Sequence, residues 1–319
     1  MSTFPHKSTR EIELSIVIIS FNTVDMTRDC LNSVLENRGD LSCQIIVVDN
    51  NSQDGSVGMI ESEFSDVEVI ANKDNLGFAA ANNQGFSICS GEYILLLNSD
   101  TLVLGNVLKE SVSYMKSHNN VGAFGCRVLN TDNTLQRTCS MYPSILNLLL
   151  LTLALDRLPY PKWLKRYNLG HWARNDTREV DVVSGCYLLI PKRILVHVGD
   201  LDDSFFFFGE ETDWCVRIRS KGWKVLFSPV GEIIHHGSVS AKKLKYKRDI
   251  MLTNGIVRLH LKHNGMLNAL ATWIILFAFN ASRALIWSFL SIFSKRGRER
   301  AVHFSNVILH FRETWPSGR

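Results

Sequence analysis

Apolar and polar positions along the first hundred residues alternate between two regimes. Leu14–Ser20 (LSIVIIS) and Gln44–Asp49 (QIIVVD) are short Ile- and Val-rich runs that end on polar residues, as strands buried on both faces of a parallel sheet do. Between them Met26, Cys30, Val34 and Leu35 recur at helical spacing and predict a helix over Thr27–Asn37. A strand at Val67–Ala71, a helix from Phe78 to about Ser90 and a strand at Tyr93–Leu97 continue the alternation. The pattern predicts an α/β fold around a doubly wound sheet, which binds ligands beyond the carboxyl ends of its strands. Three polar tips, Ser20-Phe21-Asn22, Asp49-Asn50-Asn51-Ser52 and Asn98-Ser99-Asp100, are expected to meet at one crevice.

Further along, the apolar run Ile145–Leu155 is too short to span a bilayer, which leaves a core helix or one lying on a membrane interface. An aromatic and basic stretch around Trp163, Lys165, Arg166, Tyr167 and Trp172 follows it. A second apolar stretch, Met266–Phe293, is broken by Arg283 and followed at once by Lys295, Arg296, Arg298 and Arg300.

Charge separates these regions. The chain has 319 residues and a formal net charge of +4, but residues 241–319 carry 14 Lys and Arg against 3 Asp and Glu, so residues 1–240 are net acidic. A basic, apolar tail favours an anionic membrane surface over nucleic acid, because its basic residues are interleaved with bulk apolar ones rather than isolated stacking aromatics. The seven scattered cysteines include no Cys-x-x-Cys pair, which argues against a disulfide framework and a structural zinc site. The polar opening MSTFPHKSTREIE lacks the apolar core of a signal peptide, so a cytosolic N-terminal domain is expected.

Neither a Gly-x-Gly-x-x-Gly after the first strand nor a Gly-Lys-Ser/Thr loop is present, which argues against a dinucleotide fold and a P-loop ATPase. Asp100 ends a strand and puts a carboxylate at the mouth of the sheet. Glu210, Glu211 and Asp213 come directly after Phe205–Phe208, which predicts that a buried aromatic block positions them. Asp213 is also spaced to pair with Arg217 one helical turn on, as an ordinary helix acid would. His235-His236-Gly237-Ser238-Val239-Ser240 follows another strand. A carboxylate at one strand end and an imidazole at another supply what a hard divalent ion bridging a diphosphate needs.

Taken in order, SIVIISFN, VVDNNSQDGS, NLGFAAANNQG, GEYILLLNSDT, SGCYLLIP, FFFFGEETDWCVRIRSKGW and IIHHGSVS resemble the family 2 glycosyltransferases of the GT-A fold, most of all their bacterial rhamnosyltransferase-like branch. The resemblance covers about residues 12–240. It implies a Rossmann-like doubly wound mixed sheet, preceded by a polar tail (1–11) and followed by a helical, membrane-associating extension (241–319). Asp100 takes the place of the metal-binding acid of an Asp-x-Asp motif, with Ser99 and Asn98 beside it; Asn98 replaces the first acid. Asp49 is assigned to the nucleotide base or ribose. The donor site is expected to draw also on Ser20, Asn22, Asn51, Asn75, Gly77 and Asn82, although Asn75 and Gly77 read equally well as a structural turn.

The resemblance further implies a divalent metal, Mg2+ or Mn2+, held by Asp100 and His235, and a catalytic carboxylate at Glu211 or its neighbour Glu210. The expected reaction is inverting transfer of one sugar from a nucleoside-diphosphate sugar, dTDP-rhamnose among the candidates, to a glycan or lipid-linked acceptor in cell-surface polysaccharide assembly. The Gln-x-x-Arg-Trp of processive members does not occur. A nucleotide-sugar-binding protein without turnover and a membrane-associated scaffold are the alternatives. The expected location is the cytoplasmic face of the inner membrane, peripheral or monotopic, with a single span over residues 266–293 as the second placement.

Overall fold

The computed structural model describes residues 11–237 and 244–316. Its centre is a mixed sheet that opens with four parallel strands, β1 (Leu14–Ser20), β2 (Cys43–Asp49), β3 (Val67–Ala71) and β4 (Tyr93–Asn98), in the spatial order β3-β2-β1-β4. Ile16 of β1 stands opposite Ile45 on one side and Leu95 on the other, and all three are buried. Three connecting helices, α1 (Val24–Asn37), α2 (Ser56–Glu63) and α3 (Phe78–Ile88), complete the doubly wound half that the apolar runs predict. The first helix begins three residues earlier than its periodicity suggests, because the Val24 N–H donates to the Asp54 carboxylate at 2.8 Å from the loop after β2. Such a cap from a distant loop leaves no local signal.

Beyond β4 the sheet becomes mixed. After β5 (Thr101–Val103), α4 (Val107–Ser117) and β6 (Val121–Leu129) come the short β7 (Leu135–Gln136) and β8 (Cys139–Ser140), then β9 (Arg178–Glu179), β10 (Val182–Val183), β11 (Tyr187–Pro191), α6 (Arg193–Val198), α7 (Glu210–Ser220) and β12 (Lys224–His235). In space β11 lies antiparallel to β4, and the order runs on through β6 and β12 to β5. The antiparallel pairing of β12 with β5 puts His235 opposite Thr101, the residue after Asp100. One apolar core fills the face under α1, α2 and α4, and a second, built around Trp214 and Phe227, fills the opposite face.

The run from Ile145 forms α5 (Ile145–Thr152), shorter than its apolar extent, with Ser144 Oγ accepting from the Asn147 N–H at its start. Leu148 and Leu150 are buried, whereas Leu146, Leu149 and Leu153 are exposed. Three helices close the described chain: α8 (Tyr246–Asn264), α9 (Met266–Leu290) and α10 (Lys295–Leu309). They share a third core formed by Val257, Ala269, Leu276, Val307 and Phe311, which α5 joins through Leu148.

The helical layer is tied to the sheet domain by charge. Asp213 on α7 is fully buried and accepts from Arg217 Nε, Lys262 Nζ and His263 Nε2, each at 2.7 Å. The predicted turn-to-turn pair with Arg217 is therefore present, but two further partners come from α8. Removing one member of a buried, multiply paired charge strands the others. Asp213→Ala should accordingly lower unfolding free energy by about 3 kcal/mol, read by urea denaturation of the full chain. A loss within about 0.5 kcal/mol, the size of an ordinary surface change, would refute a structural anchor here.

Candidate donor and metal site

A cleft of about 290 Å³ opens at the carboxyl ends of β1, β2 and β4. Asn98, Ser99 and Asp100 form one wall, and Asn50 and Asn75 stand on another. A larger but shallow hollow of about 670 Å³ runs along α4 among Lys109, Glu110 and Ser113, away from every strand tip.

The tips are held by one another. Asn22, in a left-handed conformation (φ 52°), donates its N–H to Ser52 Oγ at 2.8 Å and accepts from the Gln53 N–H at 2.7 Å, which joins the β1 and β2 loops. Asn51, also left-handed, accepts from Gln53 Nε2. Asp49 Oδ1 accepts from the Ser52 N–H, while its Oδ2 is buried with no hydrogen-bond partner among the described residues. Asn75 Oδ1 caps the Gly77 N–H, and the Gly77 carbonyl accepts from Asn50 Nδ2. Ser20 and Asn82 are not on the cleft wall: Ser20 Oγ faces Thr27, and Asn82 Nδ2 bonds the Phe78 carbonyl of its own helix. The three tips thus converge through their loops, with Asp49 and Ser20 as buried supports.

Asp100 is buried rather than displayed on the surface, with its Oδ1 3.2 Å from His235 Nε2. The orientation of that imidazole is set by a residue that no motif indicates. Gln136 Nε2 donates to Asn130 Oδ1 and to the His235 carbonyl, so its Oε1 faces His235 Nδ1 at 2.6 Å and accepts from it. A proton fixed on Nδ1 leaves the Nε2 lone pair directed at the Asp100 side. Asn98 Nδ2 lies 3.3 Å from the same Nε2 and donates to it. A carboxylate oxygen and an imidazole nitrogen 3.2 Å apart are donor types that suit a divalent ion taking its remaining ligands from phosphate and water. No cluster of three His, Cys, Asp or Glu side chains that could hold a metal occurs among the described residues, so the protein itself offers these two. Ser238, Val239 and Ser240 of the histidine segment lie outside the described residues.

The other wall differs from the sequence expectation. Of Phe205–Phe208 only Phe205 is buried; Phe206 is 44% exposed and, with Phe207 and Met251 of α8, lines the cleft. The block is a cleft wall, because the Phe206 carbonyl accepts from the Phe78 N–H at 3.0 Å and so lies directly over Gly77. A Cβ on Gly77 would sit 2.5 Å from that carbonyl oxygen, and its φ of +86° favours glycine independently.

Behind this wall Gly209 starts α7, and Glu210 and Glu211 occupy its first turn. Burial pushes both carboxyls upward. Glu210 rises furthest, since the Glu211 charge adds to its burial, whereas backbone N–H groups of Glu211, Gly209 and Thr212 hold Glu211 back. Of the two, Glu210 is the carboxyl that burial and its charged neighbour drive more strongly toward the protonated form. One oxygen of each, Oε2, is buried without a hydrogen-bond partner. The buried Cys186 thiol is pushed up to about 12, mainly by burial, with smaller contributions from the charges of Asp100 and Glu211. Tyr167 comes close to Glu211 from the aromatic stretch, and its hydroxyl is pushed up to about 12 by burial and then by that charge.

Comparison with known proteins supplies the context for this geometry. The profile of Glycosyl transferase family 2 matches residues 15–192, more than half of the chain. The O-antigen biosynthesis protein RfbC of Myxococcus xanthus is 23% identical over 249 residues, 75% of this chain but only 18% of its own length. The N-acetylglucosaminyl-diphospho-decaprenol L-rhamnosyltransferase of Mycobacterium tuberculosis (strain CDC 1551 / Oshkosh) is 21% identical over 203 residues, 60% of this chain and 66% of its own. Among solved structures, the mannosyltransferase PcManGT from Pyrobaculum calidifontis, in complex with GDP-Man and Mn2+, superposes with a TM-score of 0.57 at 14% identity, over 96% of this chain and 86% of that one.

The buried carboxyl pair gives a pH prediction. A carboxyl raised by folding contributes stability that is complete below its unfolded value and is lost as pH climbs through its folded value. Glu210→Gln removes that loss, so the variant should be more stable than the wild type at neutral pH, with the gap closing as pH falls to about 4. Thermal unfolding of both proteins across this range checks it; a variant less stable at neutral pH would contradict the upward shift of Glu210. With sheet, strand-end cleft and family profile in agreement, the chain belongs to glycosyl transferase family 2 and has the GT-A fold.

Proposed function

We propose that this protein is a glycosyltransferase that moves one sugar per binding event, with inversion, from a nucleoside-diphosphate sugar to a glycan or lipid-linked acceptor of cell-surface polysaccharide at the cytoplasmic face of the membrane. The observation that carries the reading is the pairing of His235 with Asp100, 3.2 Å apart, where Asp100 lines the strand-end cleft. The rhamnosyltransferase and O-antigen names among the relatives support dTDP-rhamnose as the first donor to test. The Mn2+ and GDP-Man of the mannosyltransferase structure support a metal-assisted nucleotide sugar.

Asp49, through its unpartnered Oδ2, would accept from the base or ribose, and Asn50, Asn75 and Ser99 would order the donor along the cleft. Asp100 and His235 would hold Mg2+ or Mn2+. When bound, that ion supplies positive charge against the departing diphosphate. Glu211 would take the proton of the acceptor hydroxyl as its oxygen bonds to the anomeric carbon. The bond from that carbon to the β-phosphate oxygen breaks on the opposite face, so configuration inverts and the nucleoside diphosphate leaves. Glu210, protonated beside it, keeps the second negative charge out of the pocket. Asn98 in place of the motif's first acid favours one second reading, donor binding without turnover.

The test is a panel of nucleotide sugars offered to purified full-length protein with Mn2+ and a polyprenyl-diphosphate-linked acceptor, followed by product detection. Transfer of one residue from one donor is expected; binding of a donor with no product would leave the second reading. Within that assay Glu211→Gln should lower turnover by about 10²–10⁴-fold, the size of a general-base contribution, while donor affinity holds because the lost interaction belongs to the transition state. Glu210→Gln should retain most of the activity. If Glu210→Gln abolishes transfer and Glu211→Gln does not, the roles are exchanged. Gln136→Leu should weaken Mn2+ binding by about 10–100-fold, as loss of a ligand's hydrogen-bonded support does, measured by titration of the metal followed by electron paramagnetic resonance.

A further inference from the structure

The longest apolar helix of the chain is inverted with respect to water. On α9 the residues facing outward, Leu267, Leu270, Ile274, Phe277, Leu285 and Phe289, recur at helical spacing along its whole length and are exposed. The residues facing the rest of the protein are mixed, with Ala269 and Leu276 beside Thr272 and Asn280, all buried, and Arg283, so the outward face is the more apolar of the two. Soluble surface helices show the opposite arrangement. The solvent to which the outward stripe is matched is therefore apolar.

Arg283 does not interrupt that stripe. Its guanidinium turns inward and donates to the carbonyls of Leu151 and Thr152, the last of α5, at 3.1 and 2.5 Å. They lie in the last turn of α5, where the helix runs out of its own donors, and the Leu151 carbonyl accepts from the Ala154 N–H as well. The one charge in the apolar stretch thus fastens α5 to α9, and α5 adds exposed Leu146, Leu149 and Leu153.

Two observations identify what covers this surface. Basic residues adjoin both of its apolar segments in sequence: Lys295, Arg296, Arg298 and Arg300 follow the exposed Ile292 and Phe293 after α9, and Lys162 and Lys165 flank the exposed Trp163 after α5, near the exposed Tyr160. Aromatic residues at the edge with cations beside them match the headgroup level of an anionic bilayer. In addition, α9 is packed along its inner side by α8 and α10, which carry Arg258, Lys262, Arg296 and Arg300. Gly297 of α10 lies so close to the Leu290 carbonyl that a Cβ there would be 2.4 Å from it. A span would drag these charged neighbours into hydrocarbon.

We propose that α9 and α5 together form one membrane-bedding face that lies in the plane of an anionic leaflet, with Arg283 as the positioning residue that holds α5 in it. This deepens the membrane-acceptor reading and rests on it only for the purpose of the contact, which is to bring the cleft to a lipid-borne acceptor.

The experiment is flotation of the full chain with vesicles of phosphatidylcholine alone and of phosphatidylcholine with phosphatidylglycerol. Binding to the anionic vesicles is expected, reduced but not abolished by high salt. Leu285→Glu with Phe289→Glu, and separately Leu149→Glu with Leu153→Glu, should each lower vesicle partition at least tenfold. Arg283→Leu should weaken binding and increase protease cleavage after α5, which mere loss of a surface charge would not. Donor binding, measured by titration of nucleoside diphosphate with Mn2+, should be unchanged in both glutamate pairs; its loss in the wild type would sink the glycosyltransferase reading and leave this one standing. Leu267→Cys and Ile292→Cys should both react with an impermeant thiol reagent from outside sealed vesicles. Labelling of one end only means a span and overturns the in-plane placement. A full chain that stays off anionic vesicles, or a dimer in solution that the glutamate pairs dissociate, overturns the membrane face.

Discussion

The approach of the Phe206 backbone to Gly77 sets the width of the whole site. Gly77 belongs to the loop before α3, in the half of the protein whose strand tips form the cleft, and Phe206 precedes the turn that launches Glu210 and Glu211. The Phe78 N–H bonds the Phe206 carbonyl, and only a residue without Cβ permits that distance. A side chain at 77 would push the aromatic segment outward and take the carboxylates with it. The spacing between the strand-end tips and the start of α7 is therefore tied to one backbone hydrogen bond between residues far apart in sequence, Phe78 and Phe206.

What keeps the far side of that segment in place is charge. Two carboxyls buried at the start of α7 oppose folding, and backbone N–H groups offset this through three residues for Glu211 but only one for Glu210. One turn further on, Asp213 gathers Arg217, Lys262 and His263, so that the same helix that carries the unfavourable pair is held to α8 by a favourable cluster. Met251 of α8 in turn reaches the cleft wall. The C-terminal helices thereby help to shape the cleft, and the helix that lines it belongs to the same layer that presents α9 outward.

The parallel half of the fold was readable because strands buried on both faces have a composition of their own and end abruptly on polar residues. The candidate site was readable at Asn98, Ser99, Asp100 and His235 for the same reason, since strand ends in such a sheet face one crevice. Four features were not. The early start of α1 depends on Asp54, thirty residues away; Gln136 sits in a two-residue strand and acts through an imidazole 99 residues on. Phe206 and Phe207 have the composition of core, and only the Gly77 contact turns them toward the cleft. Arg283 interrupts an apolar run in the sequence, and only the position of α5 shows that its charge faces inward. Each is a pairing between distant segments, which periodicity cannot encode.

The account rests on a donor diphosphate held through a divalent ion by Asp100 and His235. Calorimetric titration of nucleoside diphosphate into the full chain, with Mn2+ and with chelator, in the wild type and in Asp100→Ala, tests this most directly. The wild type should bind only in the presence of Mn2+, and Asp100→Ala should lose that binding while its thermal unfolding shows a folded protein. Binding of equal strength in chelator, or in Asp100→Ala, would contradict the metal site and with it the assignment of the strand-end cleft.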